Sequence, residues 1–415
     1  MTGLASATER DALSLLTAQA VRSRAGMMLA VGLRDGLDHF TIDFDRMDRV
    51  ADAVIAVTRR SYPTLKIPFH ARWRHFVLSG VDRWAAKADA FARPDRAARG
   101  RAEFDLAIVS VLLDAGAGPT WRYRDAVTGR SIGRSEGLAL ASLDLFANGV
   151  FSSDASDPLR ADAEKLADLS GASLEQGFQV NAENPLVGLE GRVELLRRLG
   201  RLVLERPSIF GTNDRPRPGG LFDRLAAAAK EGAIAAPTIL SQVLRQLGPI
   251  WPSRLELAGI PLGDCWRHDA IKTGDATDGL VPLHKLSQWL TYSLIEPLQR
   301  AGFEVNDIDG LTGLAEYRNG GLFVDHGVLR LRHADDAQRA HDVGSKLVVE
   351  WRALTVALLD HLAERIRAKL GRSADALPLA SLLEGGTWAA GRAAAFERRA
   401  DGSPPIRVIS DGTVF

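Results

Sequence analysis

Glu384 stands directly before two glycines in "SLLEGGTWAAGR", and Trp388 and Arg392 lie four residues apart just after them. Glycine inside a helix costs on the order of 1 kcal/mol relative to alanine, so the pair predicts a break in the helix or a close approach of another backbone. We predict a corner that directs the Glu384 carboxylate into a pocket, where a carboxylate is suited to acid–base chemistry or to stabilising positive charge. The alternative is a plain corner between helices, with Trp388 in the core.

A second glutamate stands in a similar setting, in "IDGLTGLAEYRNGGLFVDHG". The pattern indicates a short helix that ends with Glu316, Tyr317, Arg318 and Asn319, and the two glycines that follow are typical of a turn. Four polar or amphipathic side chains at a helix end are hard to explain by packing. We therefore predict a functional role for this segment.

Basic and aromatic residues are dense in "IPFHARWRHFVLSGVDRW", which contains His70, Arg72 and Arg74. Arginines of this kind can hold a phosphate, and an aromatic ring can stack on a planar group, so the segment could form a pocket wall. The alternative is a helix start whose aromatics enter the core and whose arginines pair with acids at the surface.

His284 and Lys285 begin a predicted helix in "GLVPLHKLSQWLTYSLIEPL". Leucines form the core stripe of this helix, so the polar side chains lie on the opposite face. A lysine beside a histidine at a helix start could bind an anion. The alternative is a solvated helix face.

The common cofactor and metal signatures do not occur in the sequence. It contains no G-x-x-x-x-G-K-[ST], no G-x-G-x-x-G after a strand and no H-E-x-x-H, and its nine histidines have no metal-like spacing. Cys265 is the single cysteine, so no disulfide can form within the chain. We expect a site without cofactor or metal, built from carboxylates, aromatics and basic groups.

Helical periodicity dominates the elements that must position these residues. Apolar residues recur at three and four spacing in many segments, and "FDLAIVSVLLDAGAG" indicates a buried helix, with a buried strand as the alternative that periodicity alone does not separate from it. Extended structure is predicted only in "TWRYRDAVTG" and "GLFVDHGVLRLRH". The predicted fold class is mainly α with a minor, short β element. We expect one large helical domain over residues 1–415, with loops or a subdomain boundary at 206–220, where prolines and glycines cluster.

The charge balance narrows the class of partner. Lysine plus arginine and aspartate plus glutamate are both 52, so the formal net charge is zero. This argues against binding to nucleic acid or a membrane surface through bulk charge and favours a small-molecule partner. No segment reaches the roughly 18 consecutive apolar residues of a membrane span. We expect a cytoplasmic protein.

The chain resembles the uracil-catabolism protein 4 family of fungi and bacteria over roughly residues 67–392. The resemblance rests on "RSEGLALASLDLFANGVFSSDASDPLRADA", "GPIWP", "HKLSQWLTYSLIEPL", "LTGLAEYRNGGLFVD" and "LEGGTWAAGR". It implies a role in a pathway that converts uracil to its ribonucleotide, opens the ring and passes through ribosylurea-type intermediates. It also implies association with other enzymes of that pathway, but it does not specify the step.

A more distant resemblance suggests the step. Three segments are similar to motifs of the queuosine 5'-phosphate nucleosidases, which cleave an N-glycosidic bond and resemble helix-hairpin-helix DNA glycosylases. "IPFHARW" places His70 in a binding position, "LAEYR" places Glu316 where an aspartate contacts the base, and "LLEGGTWA" places Glu384 at a functional aspartate. A second functional aspartate falls on Ala389, and the phenylalanine that stacks on queuine falls on Leu314. These departures imply a smaller leaving group, such as urea.

The function predicted from this resemblance is hydrolysis of the N-glycosidic bond of ribosylurea 5'-phosphate or a related ring-opened uridine nucleotide. Cleavage builds positive charge on the anomeric carbon, which Glu384 would stabilise, while Glu316 would accept hydrogen bonds from the departing urea. Fixed cations would bind the 5'-phosphate, for which the candidates are Arg72, Arg74, Lys285 and Arg318. The remaining predicted substrate-binding residues are His70, His284, Tyr317, Asn319, Trp388 and Arg392.

Two other functions remain open at this stage. One is an amidohydrolase that cuts the ureido C–N bond of the ring-opened product, although no convincing nucleophile–base pair is visible in the sequence. The other is a non-catalytic nucleotide-binding or scaffold protein of the same pathway.

Overall fold

The computed structural model describes residues 6–90, 95–114, 116–211, 215–251 and 255–409. The fold is mainly α with short two-stranded ladders, which confirms the predicted fold class. The likeness to helix-hairpin-helix glycosylase folds stays a prediction. In the described ranges, no helix combines the length and apolar character that crossing a bilayer requires.

The α-helices in chain order are α1 (Ala7–Ser14), α2 (Ala18–Leu33), α3 (Met47–Ser61), α4 (Arg83–Ala90), α5 (Arg96–Leu112), α6 (Arg134–Ala147), α7 (Ala163–Ala167), α8 (Gly171–Gly177), α9 (Leu189–Glu205), α10 (Pro207–Phe210), α11 (Gly220–Ala228), α12 (Ala236–Leu247), α13 (Lys285–Ala301), α14 (Tyr317–Asp325), α15 (Lys346–Leu370), α16 (Leu379–Leu382) and α17 (Trp388–Arg398).

The strands are β1 (Phe40–Ile42), β2 (Val77–Leu78), β3 (Val81–Asp82), β4 (Tyr123–Arg124), β5 (Ser131–Ile132), β6 (Ala233–Ala235), β7 (Glu256–Leu257), β8 (Ile260–Pro261), β9 (Cys265–Arg267), β10 (Leu280–Pro282), β11 (Glu304–Asn306), β12 (Leu329–Leu331), β13 (Ala340–Asp342) and β14 (Arg407–Ile409). The predicted extended segment "TWRYRDAVTG" supplies β4. "GLFVDHGVLRLRH" is only partly extended, because its first half completes α14 and β12 follows.

The chain folds into two compact units. The first consists of residues 1–70, 252–288 and 307–415, and the second consists of residues 71–251 and 289–306. The division therefore falls inside α13. The segment at 206–220, where the sequence suggests a boundary, belongs entirely to the second unit, and its residues 212–214 lie outside the described ranges.

In the first unit, α15 is the central helix. It is buried continuously from Leu347 to Leu359 and packs against α2, α3 and α14. Ser345 caps its start, because the Ser345 hydroxyl accepts the Val348 N–H, and Gly371 ends it in the left-handed conformation that favours glycine. The ladders of this unit are β1–β12, β7–β8 and β9–β10, all antiparallel, and the parallel pair β13–β14.

In the second unit, α5 is the buried helix that "FDLAIVSVLLDAGAG" predicts. It is buried from Ala102 to Leu112 and packs against α6, α9 and α11. The proline inside α13, Pro297, has no N–H and cannot complete the helical hydrogen bond to Ser293. The Ser293 carbonyl instead accepts the indole N–H of Trp73 at 2.6 Å. This unit also contains the antiparallel hairpins β2–β3 and β4–β5 and the parallel pair β6–β11.

Candidate functional site

The segment around Glu384 is a continuous helix with one widened turn. α16 leads into a π-helix over Leu383–Thr387, and α17 follows without a break. The predicted corner at the glycine pair is therefore wrong, because the chain accommodates the glycines in a π turn. π turns are rare in proteins, and many of those that occur lie at functional sites.

The two glycines of the π turn allow it to pack directly on α3. A Cβ atom on Gly386 would lie 2.3 Å from the Thr58 hydroxyl oxygen and 2.9 Å from the Val54 carbonyl oxygen. A Cβ atom on Gly385 would lie 2.9 Å from a terminal methyl group of Ile67. The glycine pair is thus required for close approach, which was one of the two possibilities that the sequence indicated.

Among the described residues, the Glu384 carboxylate has two hydrogen-bonding partners. Its Oε2 lies 2.9 Å from Nδ1 of His70, and its Oε1 accepts the Tyr62 hydroxyl at 3.2 Å. An ionised carboxylate only accepts, so Nδ1 of His70 carries a proton in this pair. The side chains of His70 and Glu384 are 16% and 18% exposed, so both are sheltered yet reachable from solvent. We call these three residues the Glu384 cluster.

The backbone fixes the Glu384 cluster from both sides. The His70 N–H donates to the Ala380 carbonyl at 2.9 Å, one helical turn before Glu384. The Ser381 hydroxyl donates to the Ile67 carbonyl at 3.0 Å. The segment that carries His70 is therefore tied directly to the helix that carries Glu384.

Sequence reasoning did not identify Tyr62. It lies just after α3, where Pro63 follows, and its N–H donates to the Thr58 carbonyl at 2.7 Å. The tyrosine–proline pair marks a helix end in the sequence. No local signal connects it to a glutamate 322 residues away.

Glu316 caps the start of α14. Its carboxylate accepts the backbone N–H groups of Arg318 at 2.8 Å and Asn319 at 2.5 Å. The prediction that residues 316–319 end a helix before a glycine turn is wrong: they begin one, and both glycines lie inside it. A carboxylate that accepts N–H groups of the first turn also favours the helix dipole.

The electrostatic environment of Glu316 joins it to the Glu384 cluster. Burial raises the pKa of Glu316, and the two backbone hydrogen bonds oppose that shift. The charges of Lys285 and His70 also act to lower this pKa. Glu384 contacts His70 through a hydrogen bond, whereas Glu316, 68 residues earlier in the chain, is linked to His70 only by a long-range electrostatic effect.

Three buried polar atoms near the start of α14 and in the π turn lack hydrogen bonds within the described ranges. They are Nε of Arg318, Oδ1 of Asn319 and Oγ1 of Thr387. Other atoms of the two α14 residues are paired, because Nη1 of Arg318 donates to the Gly402 carbonyl at 2.8 Å and Nδ2 of Asn319 donates to the Leu314 carbonyl at 3.3 Å. Unpaired buried polar atoms are costly and uncommon. They are candidates for hydrogen bonds to a bound molecule.

The aromatic candidates form cation–π pairs. The Arg318 guanidinium lies 4.9 Å from the ring centre of Tyr317. On α17, the Arg392 guanidinium lies 5.7 Å from the ring centre of Trp388, and both side chains are partly buried. The alternative that places Trp388 in the core therefore does not hold, because its side chain is only partly buried.

His284 and Lys285 differ in their surroundings. His284 is buried, and its Nε2 lies 2.9 Å from the Leu15 carbonyl oxygen. Burial lowers the pKa of His284 and favours the neutral ring, so the predicted anion-binding role is not supported for this residue. Lys285 is only partly buried, and its charge acts on Glu316.

A buried aspartate that the sequence reasoning overlooked holds the start of α13. Asp264 accepts the Lys285 N–H at 3.0 Å and the Trp266 indole N–H at 2.7 Å. Arg352 donates to both of its oxygens at 2.8 Å. These interactions outweigh burial and lower the pKa of Asp264 to about 2. Asp264 thereby fixes Lys285 relative to the centre of the first unit.

Arg72 and Arg74 belong to the second unit, where carboxylates match their charges. The fully buried Arg72 lies 3.1 Å from Asp114 and donates to the Ser110 hydroxyl at 2.7 Å. Arg74 donates to Glu296 at 2.6 and 2.7 Å. Both arginines pair with acids, although the Arg72–Asp114 pair is buried and not at the surface as the alternative had it. A phosphate would have to compete with those ion pairs.

Comparisons with known proteins agree over nearly the whole chain. Residues 14–415 match the family described as "Protein of unknown function (DUF1688)". The chain is 39% identical to "Uracil catabolism protein 4" of Lachancea kluyveri, over 91% of this chain and 92% of that protein. It is also 39% identical to "Protein urg3" of Schizosaccharomyces pombe, over 97% of this chain and 98% of that protein.

The resemblance that the sequence motifs indicated is therefore confirmed at the level of the family. Because the match to the family runs from residue 14 to the last residue, it includes Tyr62 as well as His70, Glu316 and Glu384. The chain belongs to the DUF1688 family and is related to the fungal uracil catabolism protein 4 and protein urg3.

Proposed function

We propose that this protein acts in uracil catabolism as an N-ribosyl hydrolase, cleaving the N-glycosidic bond of ribosylurea 5'-phosphate or a related ring-opened uridine nucleotide. The name of one relative, uracil catabolism protein 4, supports the pathway. The observation that carries the reaction is the Glu384 cluster in a π turn, with Glu316 electrostatically linked to the same histidine. Water supplies the oxygen that bonds to the anomeric carbon, and its proton leaves with the urea nitrogen.

Glu384 is the proposed catalytic carboxylate. As the C–N bond breaks, positive charge develops on the ribose, and a preorganised carboxylate stabilises it and orients the attacking water. His70 and Tyr62 hold the carboxylate by hydrogen bonds to separate oxygens, which limits its rotation. A fixed carboxylate needs less reorganisation in the transition state than a mobile one.

Glu316 is the proposed partner of the leaving group. Its carboxylate, fixed by the N–H groups of Arg318 and Asn319, would accept hydrogen bonds from the amino groups of the departing urea, whereas Glu384 would stabilise the positive charge on the ribose. Two carboxylates in different environments are a common arrangement for this division of roles. The neighbouring Asn319 has an Oδ1 without a hydrogen-bond partner among the described residues, and this atom could accept from the urea amino groups.

The cations of the first unit that suit a 5'-phosphate are Lys285 and Arg318. Lys285 acts on Glu316 electrostatically, and Arg318 has a buried Nε without a hydrogen-bond partner among the described residues. An arginine donates to phosphate oxygens in fixed geometry, and a lysine supplies a point charge. Association with other enzymes of the pathway is part of the same proposal.

The test is to incubate the purified protein with synthetic ribosylurea 5'-phosphate and to follow urea and ribose 5-phosphate by NMR. We expect both products from the wild type and a rate at least about a hundredfold lower for Glu384→Gln. Glu364→Gln, which changes an exposed glutamate on α15, is the matched control and should keep the wild-type rate.

Other outcomes would contradict the proposal. Folded Glu384→Gln protein with the wild-type rate would remove Glu384 from the mechanism. Release of ammonia as the first product would instead support cleavage of the ureido C–N bond. Saturable binding of the substrate without turnover would support a non-catalytic nucleotide-binding protein.

A further inference from the structure

The second unit contains a surface cavity that none of the motifs singled out in the sequence predicts. Its volume is 260 Å³, and it lies between the first turns of α5 and the last turn of α13. The residues that line it are Arg96, Arg99, Gly100, Glu103, Pro297, Arg300 and Ala301. Three arginines and one glutamate leave a surplus of two positive charges at the wall.

A buried glutamate organises two of these arginines. Glu103 is fully buried and accepts from Nε of Arg99 at 2.9 Å and from Nε of Arg300 at 2.9 Å. The indole N–H of Trp84 also donates to it at 2.9 Å. A buried carboxylate must be paired, so Glu103 fixes both guanidinium groups at the cavity wall.

Arg300 is held further by an aromatic ring and a second acid. Its guanidinium lies 4.6 Å from the ring centre of Trp73, and its Nη1 donates to Glu296 at 3.3 Å. These contacts restrict its side chain before any ligand arrives. Such preorganisation lowers the entropic cost of binding.

The cavity also presents guanidinium nitrogens that no group of the described chain occupies. Arg99 pairs with Glu103 through Nε, and no hydrogen bond to either of its Nη atoms occurs in the described ranges. Arg96 forms no ion pair there, and its Nη1 lies 3.3 Å from the position that a Cβ atom would take on Gly302. Gly302 has a φ of 101°, which suits glycine, and it keeps the space beside Arg96 open.

We propose that this cavity binds a phosphate group, either as inorganic phosphate or as the phosphate of a small metabolite. Planar guanidinium groups match the spacing of phosphate oxygens, and their bonds are charge-assisted. Asp95 caps the N-terminus of α5, so the arginines rather than the helix end supply the positive charge. The volume lies below the about 300–1,000 Å³ of typical pockets for drug-sized ligands, so the ligand is small. The inference does not depend on the proposed reaction.

The experiment is calorimetric titration of the full-length protein with inorganic phosphate and, separately, with ribose 5-phosphate. We expect saturable binding that weakens about tenfold in Arg96→Gln, because one charge-assisted contact is lost. Arg96→Gln leaves the partners of Glu103 intact, so it avoids an unpaired buried carboxylate. Arg99→Gln should weaken binding as well, but it removes one of those partners and requires a folding check by circular dichroism.

Arg198→Gln is the matched control, because Arg198 is a surface arginine of α9 that pairs only with Glu194 in the described ranges. It should bind as the wild type does. Equal affinity for both ligands would identify phosphate itself as the ligand, and tighter binding of ribose 5-phosphate that Arg96→Gln weakens would identify a phosphorylated metabolite. No saturable binding of either ligand, or unchanged affinity in Arg96→Gln, would overturn the proposal.

Discussion

At the scale of single residues, the candidate site depends on how one carboxylate is held. Glu384 has a different partner on each oxygen, and both partners come from the segment between the end of α3 and His70. Hydrogen bonds to a charged group contribute about 1.5–3 kcal/mol each, more than those between neutral groups. The orientation of Glu384 should therefore respond to small changes in either partner.

Tyr62→Phe tests this dependence with the smallest change. The variant removes one hydrogen bond to Glu384 and leaves His70 in place, so we expect kcat of the proposed hydrolysis to fall about tenfold with little change in KM. Steady-state kinetics with ribosylurea 5'-phosphate would measure the change. Tyr123→Phe removes a comparable bond to Asp144 in the second unit and should keep the wild-type kcat. Equal losses in both variants would indicate a general effect on stability.

At the scale of elements, the π turn over Leu383–Thr387 sets the position of Glu384. The turn packs on α3 only because Gly385 and Gly386 carry no side chains there. The two glycines are not equivalent. Gly386 meets a backbone carbonyl of α3, whereas Gly385 meets the ends of side chains, which can move.

We therefore expect Gly386→Ala to destabilise the protein by roughly 2–3 kcal/mol and Gly385→Ala by less, since overpacking against backbone cannot be relieved by rotamer changes. Gly191→Ala, on α9, is the control, because no heavy atom lies within 4 Å of the position that a Cβ atom would take there. It should stabilise the protein by up to about 1 kcal/mol. Denaturant unfolding monitored by circular dichroism measures all three, and a Gly386→Ala protein as stable as the wild type would contradict the packing argument.

The elements show what the sequence could and could not predict. The buried helix α5 and the end of α15 at Gly371 follow from local patterns, since apolar spacing and a left-handed glycine are properties of a few neighbouring residues. The π turn does not follow, because its glycines are explained by α3, more than 300 residues earlier in the chain. Likewise, Glu316 precedes α14 rather than ending a helix, since the glycines that suggested a turn are tolerated inside α14, where a Cβ on Gly320 would meet Trp351.

At the scale of the whole molecule, the first unit is assembled from three separated parts of the chain. The Glu384 cluster joins two of them, since His70 ends the first part and Glu384 lies in the third. Asp264 and Lys285 belong to the middle part. The motifs singled out His70, Glu316 and Glu384 one by one, but no sequence pattern indicates the pairing of Asp264 with Arg352, because periodicity carries no information on contacts between distant segments.

The stability of the first unit should therefore depend on pH through Asp264. Its pKa is lowered from 3.8 to about 2, chiefly by Arg352 acting against burial. The unfolded chain binds the proton more readily than the folded one. The stabilisation by the ionised Asp264 carboxylate is therefore present above about pH 4 and is lost as the pH falls towards 2. It corresponds to roughly 2 kcal/mol for a shift of this size. Asp264→Asn should lose that part of the pH dependence and be less stable at pH 7 by about 3–5 kcal/mol, because Arg352 is left buried without its partner.

Denaturant unfolding at pH 7, 4 and 2 would measure this contribution as the difference between the wild type and the variant. That difference should be largest at pH 7 and should narrow between pH 4 and 2, where the wild type also loses the carboxylate. Asp335→Asn, at an exposed position, provides the control and should follow the wild type throughout. The opposite result would be a difference in the free energy of unfolding between the wild type and Asp264→Asn that stays constant from pH 7 to 2. That result would contradict a stabilising role for the charge of Asp264.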